Sequence, residues 1–354
     1  MKPKLSICIT VYNQMQLLRW NLENIVQYKD ESIQIVVSDN CSSDPIKDIV
    51  ESFGDERIKY CKTDSNVGQD GNILNALKNC DSNYAFLLRT RDTILTDHIP
   101  QIIRTIANNQ SVAYMRFSSV GENNEIRLGF SDTVYCCGKE SLKADYGIPI
   151  HPSGELYNLS YISYDELDFL SSFLCERFPN NNGFLAHVLL RHYLVPRGSF
   201  LTSSCIVWYY ANTSKASDLA VVNEKEEVKR YSPYSPRYQY PRYESEVEYV
   251  LQKVPNEFQI PMIKGIIKKY AEFLTVFFDS INNSQGIRNH YHCQKEDYSP
   301  KKEKRAFLLF SKQHFAFCNP RTRRMIRKYS VFCVSIYLPL KKIKRRIMHQ
   351  PYAD

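Results

Sequence analysis

The sequence predicts an α/β protein with a mostly parallel central sheet and a basic, helical C-terminal extension. Three observations predict it. Short β-branched runs alternate with amphipathic stretches through the first hundred residues, polar turn residues follow each run, and cations concentrate in the last fifty residues. At 354 residues, with 43% hydrophobic and 24% charged side chains, the chain exceeds one typical domain of about 100–200 residues and can build a substantial core. That composition excludes wholesale disorder and a multispanning membrane protein.

Leu5 to Val11 is a β-branched run about one strand long that stops at Tyr12-Asn13. Polar residues and no small-residue cleavage site follow it, so it is read as a strand and not as a signal peptide. From Gln16 to Tyr28, Leu17, Leu18, Trp20, Leu22, Ile25 and Val26 recur at helical spacing, and Ser32 to Ser38 is again strand-like. This β-α-β unit implies a parallel pair with a right-handed crossover. The polar loop Asp39 to Asp44 precedes Pro45, which suits a first helical turn, and Ile46, Ile49, Val50 and Phe53 form a helical stripe. Arg57 to Cys61 is a short strand, Asn66 to Asn72 a Gly/Asn loop, and Ile73, Leu74, Ala76 and Leu77 the apolar side of a third helix. Tyr84 to Leu88 is a near-continuous apolar run, as expected of a central strand covered on both faces. Ligands of open parallel sheets bind beyond the carboxyl ends of the strands, where loops 10–13, 39–44, 66–72 and 89–94 emerge.

Residues 110–230 predict strands at Val112–Ser118 and Ile126–Phe130, a turn at His151-Pro-Ser-Gly154, helices at Asp165–Phe178 and Gly183–Tyr193, and a buried strand at Phe200–Tyr210. Residues 231–243 hold five Tyr and three Pro, which reads as a linker rather than a regular helix. Residues 244–282 read as amphipathic helices and 301–349 as basic ones. The eleven cysteines are dispersed and show no zinc spacing, so they read as free thiols of a cytosolic protein. His290, His292 and Cys293 lack a second pair at metal-ligand spacing.

Four segments carry a resemblance: Ile9-Thr-Val-Tyr-Asn13, Val37-Ser-Asp-Asn-Cys-Ser-Ser-Asp44, Asn66-Val-Gly68, and the strand Tyr84 to Leu88 with its polar loop. Their order and spacing over roughly residues 4–97 resemble the family 2 glycosyltransferases of the GT-A fold. His151-Pro-Ser-Gly154 and Phe178-Pro179 look like features of members that build bacterial surface polysaccharides. The resemblance implies a GT-A domain over 1–230, with a nucleotide-sugar half (1–100) and an acceptor half (101–230), then the 231–243 linker and a helical region over 244–354. It implies an inverting, hexosyltransferase-type enzyme that moves a sugar from a nucleotide-sugar donor to a lipid-linked oligosaccharide acceptor, in capsule or O-antigen assembly.

Residue by residue, the resemblance places the nucleoside at Thr10, Tyr12 and Asn13. Asp39 would accept from base and ribose, with Asn66 and Gly68 in the adjoining turn. The family's Asp-x-Asp, whose carboxylates hold Mg²⁺ or Mn²⁺ against the diphosphate, is degraded here to Thr90-Arg91-Asp92. Only Asp92 remains as a metal ligand, and Arg89 and Arg91 repel a cation while suiting phosphate oxygens. Three readings stay open: Asp92 keeps a metal with help from the substrate's phosphates, the arginines replace the metal, or the domain is a non-catalytic scaffold for an active transferase. For an inverting transfer the base that takes the acceptor proton is sought among His151, Glu155, Asp165 and Asp168.

Between Lys301 and Gln350 stand 15 Lys and Arg and one acid, Glu303. The apolar stretch Tyr329 to Leu340 is too short to span a bilayer and is flanked by cations, which suits the plane of an anionic membrane through residues 301–349. The expected location is cytoplasmic, peripheral on the inner face of the cell membrane, with no nucleic-acid partner.

Overall fold

Four parallel strands, β1 (Leu5–Val11), β2 (Ile33–Asp39), β3 (Ile58–Lys62) and β4 (Tyr84–Arg89), form one side of a mixed ten-stranded sheet. The computed structural model describes residues 2–121, 123–145, 151–180, 183–210, 236–283 and 299–347, which fall into two compact units, Met1–Asn223 and Glu224–Asp354. In the first unit the strand order is β3-β2-β1-β4-β9-β6-β10-β5, with β5 (Thr93–Ile94), β6 (Val112–Val120), β9 (Glu155–Asn158) and β10 (Ser199–Tyr209) completing the path. Two short strands, β7 (Ile126–Leu128) and β8 (Thr133–Tyr135), pair with β6 and β10. The sheet changes direction at β9, which runs antiparallel to both β4 and β6.

The first half follows the expected βαβ pattern. Helices α1 (Met15–Ile25), α2 (Ile46–Ser52) and α3 (Gly68–Lys78) bury Leu18, Leu22 and Ile25, then Ile46, Ile49 and Val50, then Ile73, Leu74, Ala76 and Leu77. Each buried Leu, Ile or Val among them contributes about 1.5–3 kcal/mol by leaving water. Because these helices return antiparallel to the strands, their N-termini and the loops before them gather at the sheet's carboxyl edge.

Helix α4 (Ile99–Asn108), with Pro100 in its first turn, buries Ile99, Ile102 and Ile106 and is not anticipated by the sequence reading. Nor are α5 (Lys139–Asp145) and the four-residue β9, which is too short to show a period. Helix α6 spans Tyr164–Arg177, and α7 spans Ala186–Leu194 rather than starting at Gly183. Its start is fixed from outside, because Asp70 Oδ1 accepts from the backbone N–H groups of Leu185 (2.7 Å) and Ala186 (2.8 Å).

The described part of the second unit is helical: α8 (Pro236–Lys253), α9 (Asn256–Asn283), α10 (Pro300–Gln313), α11 (Pro320–Phe332), a π turn (Cys333–Tyr337) and α12 (Leu338–Ile347). One expectation is corrected here, since residues 236–243 of the Tyr/Pro-rich segment are helical with Pro241 inside the helix. Aromatic packing outweighs the lost backbone bond: the fully buried Tyr243 ring lies 5.0 Å from Tyr270, 5.8 Å from Phe307 and 5.0 Å from Phe315. The buried Glu246 accepts from Lys269 Nζ (2.7 Å) and Tyr270 OH (2.7 Å). No described helix is long and apolar enough to cross a membrane. His290, His292, Cys293 and residues 231–235 lie outside the described residues.

Candidate functional site

The loops beyond β1, β2 and β3 are tied together by short polar side chains. Asn13, in the left-handed region at φ 49°, donates its N–H to Ser42 Oγ (3.0 Å), and its Oδ1 accepts from Ser43 N–H (2.8 Å). Asp39 is 1% exposed. Its Oδ1 accepts from Ser42 N–H (2.9 Å) and its Oδ2 from Tyr60 OH (2.8 Å), with Lys62 Nζ at 3.9 Å. Burial, and then the bond to Asp39, push the Tyr60 phenol well above its usual range. Asp39 thus organises the turn over 40–43 from inside. Asn40, which the sequence reading passes over, donates Nδ2–H to Asn66 Oδ1 (2.8 Å) and accepts from Val67 N–H (2.8 Å). Asn66 Oδ1 also takes the N–H of Gly68 (2.9 Å), whose φ of 71° lets the chain turn into α3. Thr10 lends its carbonyl to Thr90, and Tyr12 is exposed.

At the end of β4 the sequence Arg89-Thr-Arg-Asp92 folds back on itself. Asp92 is fully buried, and its Oδ2 accepts from Ser153 Oγ (2.6 Å) and Arg89 Nε (2.9 Å), while its Oδ1 lies 3.4 Å from Arg89 Nη2. The neighbouring Arg91 is half-buried and forms no hydrogen bond or ion pair among the described residues. Burial, and then the adjacent Arg89, lower the pKa of Arg91, and a guanidinium remains charged at neutral pH all the same. The strand end therefore offers a cation to an incoming anion and keeps its carboxylate for internal use.

These residues do not fit the metal that the resemblance implies. In this structure Asp92 serves as an internal anchor, because its oxygens face a guanidinium and a hydroxyl donor. Among the described residues no group of three or more His, Cys, Asp or Glu is placed to hold a metal ion.

The four candidate bases part company. His151 adjoins Asp92, with its Nε2 3.7 Å from Asp92 Oδ2, and its ring packs on Trp208 (5.2 Å) and Tyr210 (4.5 Å). Burial first, then Arg89, Arg116 and His187, hold His151 well below its usual pKa, so the ring is neutral. Its Nδ1 accepts from Ser153 N–H (3.2 Å), which assigns the ring proton to Nε2 on the Asp92 side. Held this way, the neutral His151 ring presents no free lone pair to an acceptor hydroxyl.

Glu155 is completely buried on β9, between Arg116 Nη1 (3.6 Å) and Arg191 Nη1 (3.4 Å), and accepts from Tyr157 OH. Its burial raises its pKa against those two cations, and it belongs to the core. Asp165 is exposed on α6, and the exposed Asp168 pairs with Lys78 at the C-terminal end of α3. That end lies toward the opposite edge of the sheet from the loops, so the structure does not bring Asp165 and Asp168 to the site.

Sequence reasoning missed the support behind Asp92. Ser153 bonds Asp92, and Arg116 Nη1 donates to the Ser153 carbonyl (2.8 Å). Arg191 joins Glu155 to the buried Asp145, which also meets His192 Nδ1 (2.9 Å). The His151-Pro-Ser-Gly154 motif was the available signal. Gly154 sits at φ 81°, and a Cβ there would run into the Trp208 indole nitrogen.

Comparisons with known proteins bear on the fold that carries these residues. Residues 6–149 match the family model described as Glycosyl transferase family 2. The GalNAc(5)-diNAcBac-PP-undecaprenol beta-1,3-glucosyltransferase of Campylobacter jejuni is 29% identical over 105 residues, 29% of this chain and 34% of that protein. Glycosyltransferase GlyA of Streptococcus pneumoniae is 28% identical over 123 residues, 34% of this chain and 18% of its own length. The chain thus spans about a third or less of these curated relatives. Among solved structures, S. aureus TarS 1-349 in complex with UDP superposes with a TM-score of 0.53 at 14% identity, covering 99% of this chain and 93% of that one. The complex of the same protein with UDP-GlcNAc gives 0.52 at 14% identity, covering 95% and 92%. At such identity the likeness shows the shared GT-A fold.

Proposed function

From the match of residues 6–149 to the glycosyl transferase family 2 model, we propose that this protein is a member that transfers a sugar from a nucleotide-sugar donor to a lipid-linked glycan, using arginine where the family uses a metal. The observation that carries the reading is the end of β4: Arg91 has no partner among the described residues, while Asp92 is locked by Arg89 and Ser153. A guanidinium beside the nucleotide loops offers fixed, permanently charged donors to a departing diphosphate. A uridine nucleotide is the first donor to try, since UDP and UDP-GlcNAc are bound by TarS. The undecaprenol-linked substrate in the name of the Campylobacter relative supports a lipid-linked acceptor.

The finer parts of the proposal are inversion at the anomeric carbon, a role in capsule or O-antigen type polysaccharide assembly, and residence on the inner face of the membrane through the basic residues 301–349. Product anomeric configuration, read by NMR, checks the first.

Calorimetric titration of the full chain with UDP, GDP and dTDP, with Mn²⁺ and with EDTA, tests the central claim. The expected result is binding that ignores the metal and weakens about 10–100-fold in Arg91→Ala, the loss of one charge-assisted contact. Metal-dependent binding that disappears in Asp92→Ala would overturn the arginine reading, and no binding of any nucleotide would overturn the function.

A further inference from the structure

We propose that a cationic cleft on the C-terminal unit seats the phosphate headgroup of an anionic phospholipid, with the apolar row beside it lying among the acyl chains. The inference rests on the membrane part of the preceding reading and gives it a site. The cleft, about 450 Å³, is lined by Lys264 of α9 and by Arg321, Arg324, Lys328, Tyr329 and Phe332 of α11, over Met325. Four cations and no carboxylate face it. Lys264 Nζ stands 5.6 Å from the centroid of the Tyr329 ring, and none of the four cations forms an ion pair among the described residues. Three carboxylates elsewhere in the unit are engaged: Glu246 with Lys269, Glu272 with Lys341 and Tyr337, and Glu244 with His314. A cleft that gathers positive charge without counter-ions suits an anion.

The second observation is apolar. Phe332, at one end of the cleft, begins a row of large side chains that water covers, Phe332 (41% exposed), Ile336 (50%), Leu340 (60%) and Ile343 (53%). They recur three or four residues apart along α11, the π turn and α12. Ile326, Ser330, Cys333, Val334 and Leu338, on the same elements, are buried. A free phosphate or a nucleic acid would satisfy the cations and leave this row in water. A phospholipid presents both chemistries in one molecule, with Lys and Arg suited to its headgroup and Ile, Leu and Phe to its chains.

The test is flotation of the full-length protein with vesicles of phosphatidylcholine alone and of phosphatidylcholine with phosphatidylglycerol. Three variants are compared: Arg321→Glu with Arg324→Glu in the cleft, Ile336→Ser with Leu340→Ser in the row, and Lys301→Glu with Lys302→Glu, exposed cations outside the cleft that change the charge equally. The wild type is expected to float only with phosphatidylglycerol. The cleft variant should lose at least about tenfold more affinity than the charge-matched control, and the row variant should also float poorly. Equal losses in the cleft variant and the control would overturn the cleft and leave diffuse membrane attraction standing, as would a row variant that binds like wild type. A wild type that floats with neither vesicle would overturn the membrane reading itself. Nucleotide titration and thermal unfolding of each variant report whether it has folded.

Discussion

Asp92 shows how a residue chosen from a motif changes its role in three dimensions. A carboxylate that binds a metal needs open oxygens, and this one is enclosed by Arg89, Ser153 and the Nε2 side of His151. Replacing it with alanine removes the carboxylate that accepts from Arg89 and Ser153 and is expected to lower stability as well as nucleotide affinity, whereas Arg91→Ala should lower affinity alone. Thermal unfolding alongside calorimetry separates the two.

His151 and Asp145 predict pH dependence in different windows. The folded pKa of His151 lies below its unfolded value, near 6.5, so the unfolded chain binds the proton more readily and stability falls as pH drops through about 6.5. His151→Phe keeps a stacked ring and should flatten that decline between about pH 6.5 and 5, read by thermal midpoints. Asp145 behaves oppositely in cause. Burial alone would raise its pKa, but Arg191 and His192 overcome it and hold the carboxyl far below its usual range. Its contribution is present above about pH 4 and is lost as pH falls toward its folded pKa. Asp145→Asn leaves Arg191 buried with less compensation and should destabilise the protein by about 3–5 kcal/mol in denaturant unfolding.

At the scale of elements, the first hundred residues were legible because each β-α unit repeats a short apolar run and an amphipathic stripe, and local periodicity decides both. The elements missed have boundaries set by distant residues. Strand β9 is four residues long and exists because β4 and β6 pair with it on either side. Helix α7 starts where Asp70 receives its first N–H groups, so Asp70→Ala should cost about 1–2 kcal/mol, measured by denaturant unfolding. The tight turn before β9 makes a second prediction. Gly154 donates its N–H to the Leu87 carbonyl (3.0 Å), its own carbonyl accepts from Phe117 N–H (3.2 Å), and its φ is 81°. Gly154→Ala combines backbone strain with a collision against Trp208 and should destabilise by at least about 1–3 kcal/mol. In the second unit, reading residues 236–243 as non-helical failed because composition weighs Pro241 and local rules do not see the aromatic cluster around Tyr243. The candidate site divides in the same way. Thr10, Asn13, Asp39, Asn66 and the Arg89–Asp92 segment lie in local motifs and could be named from the sequence, while Ser153, Arg116 and Arg191 act across the sheet.

For the molecule as a whole, charge separates the two units. Residues 301–350 carry a net +14, and a membrane contact made by those cations is expected to weaken as salt shortens the range of their attraction. Vesicle flotation at low and high ionic strength checks this. The sheet has a further consequence for synthesis. Strands β1 to β4 pair in parallel through local crossovers and can assemble as the chain leaves the ribosome. The second edge of β4, however, is completed only by Glu155–Asn158, which must insert between β4 and β6. Until that segment has been translated and docked, a nearly uncharged strand of five apolar residues and Arg89 offers its backbone to any neighbour. Expression that outruns this late insertion should therefore yield aggregates, and slower translation or holdase chaperones should recover soluble protein.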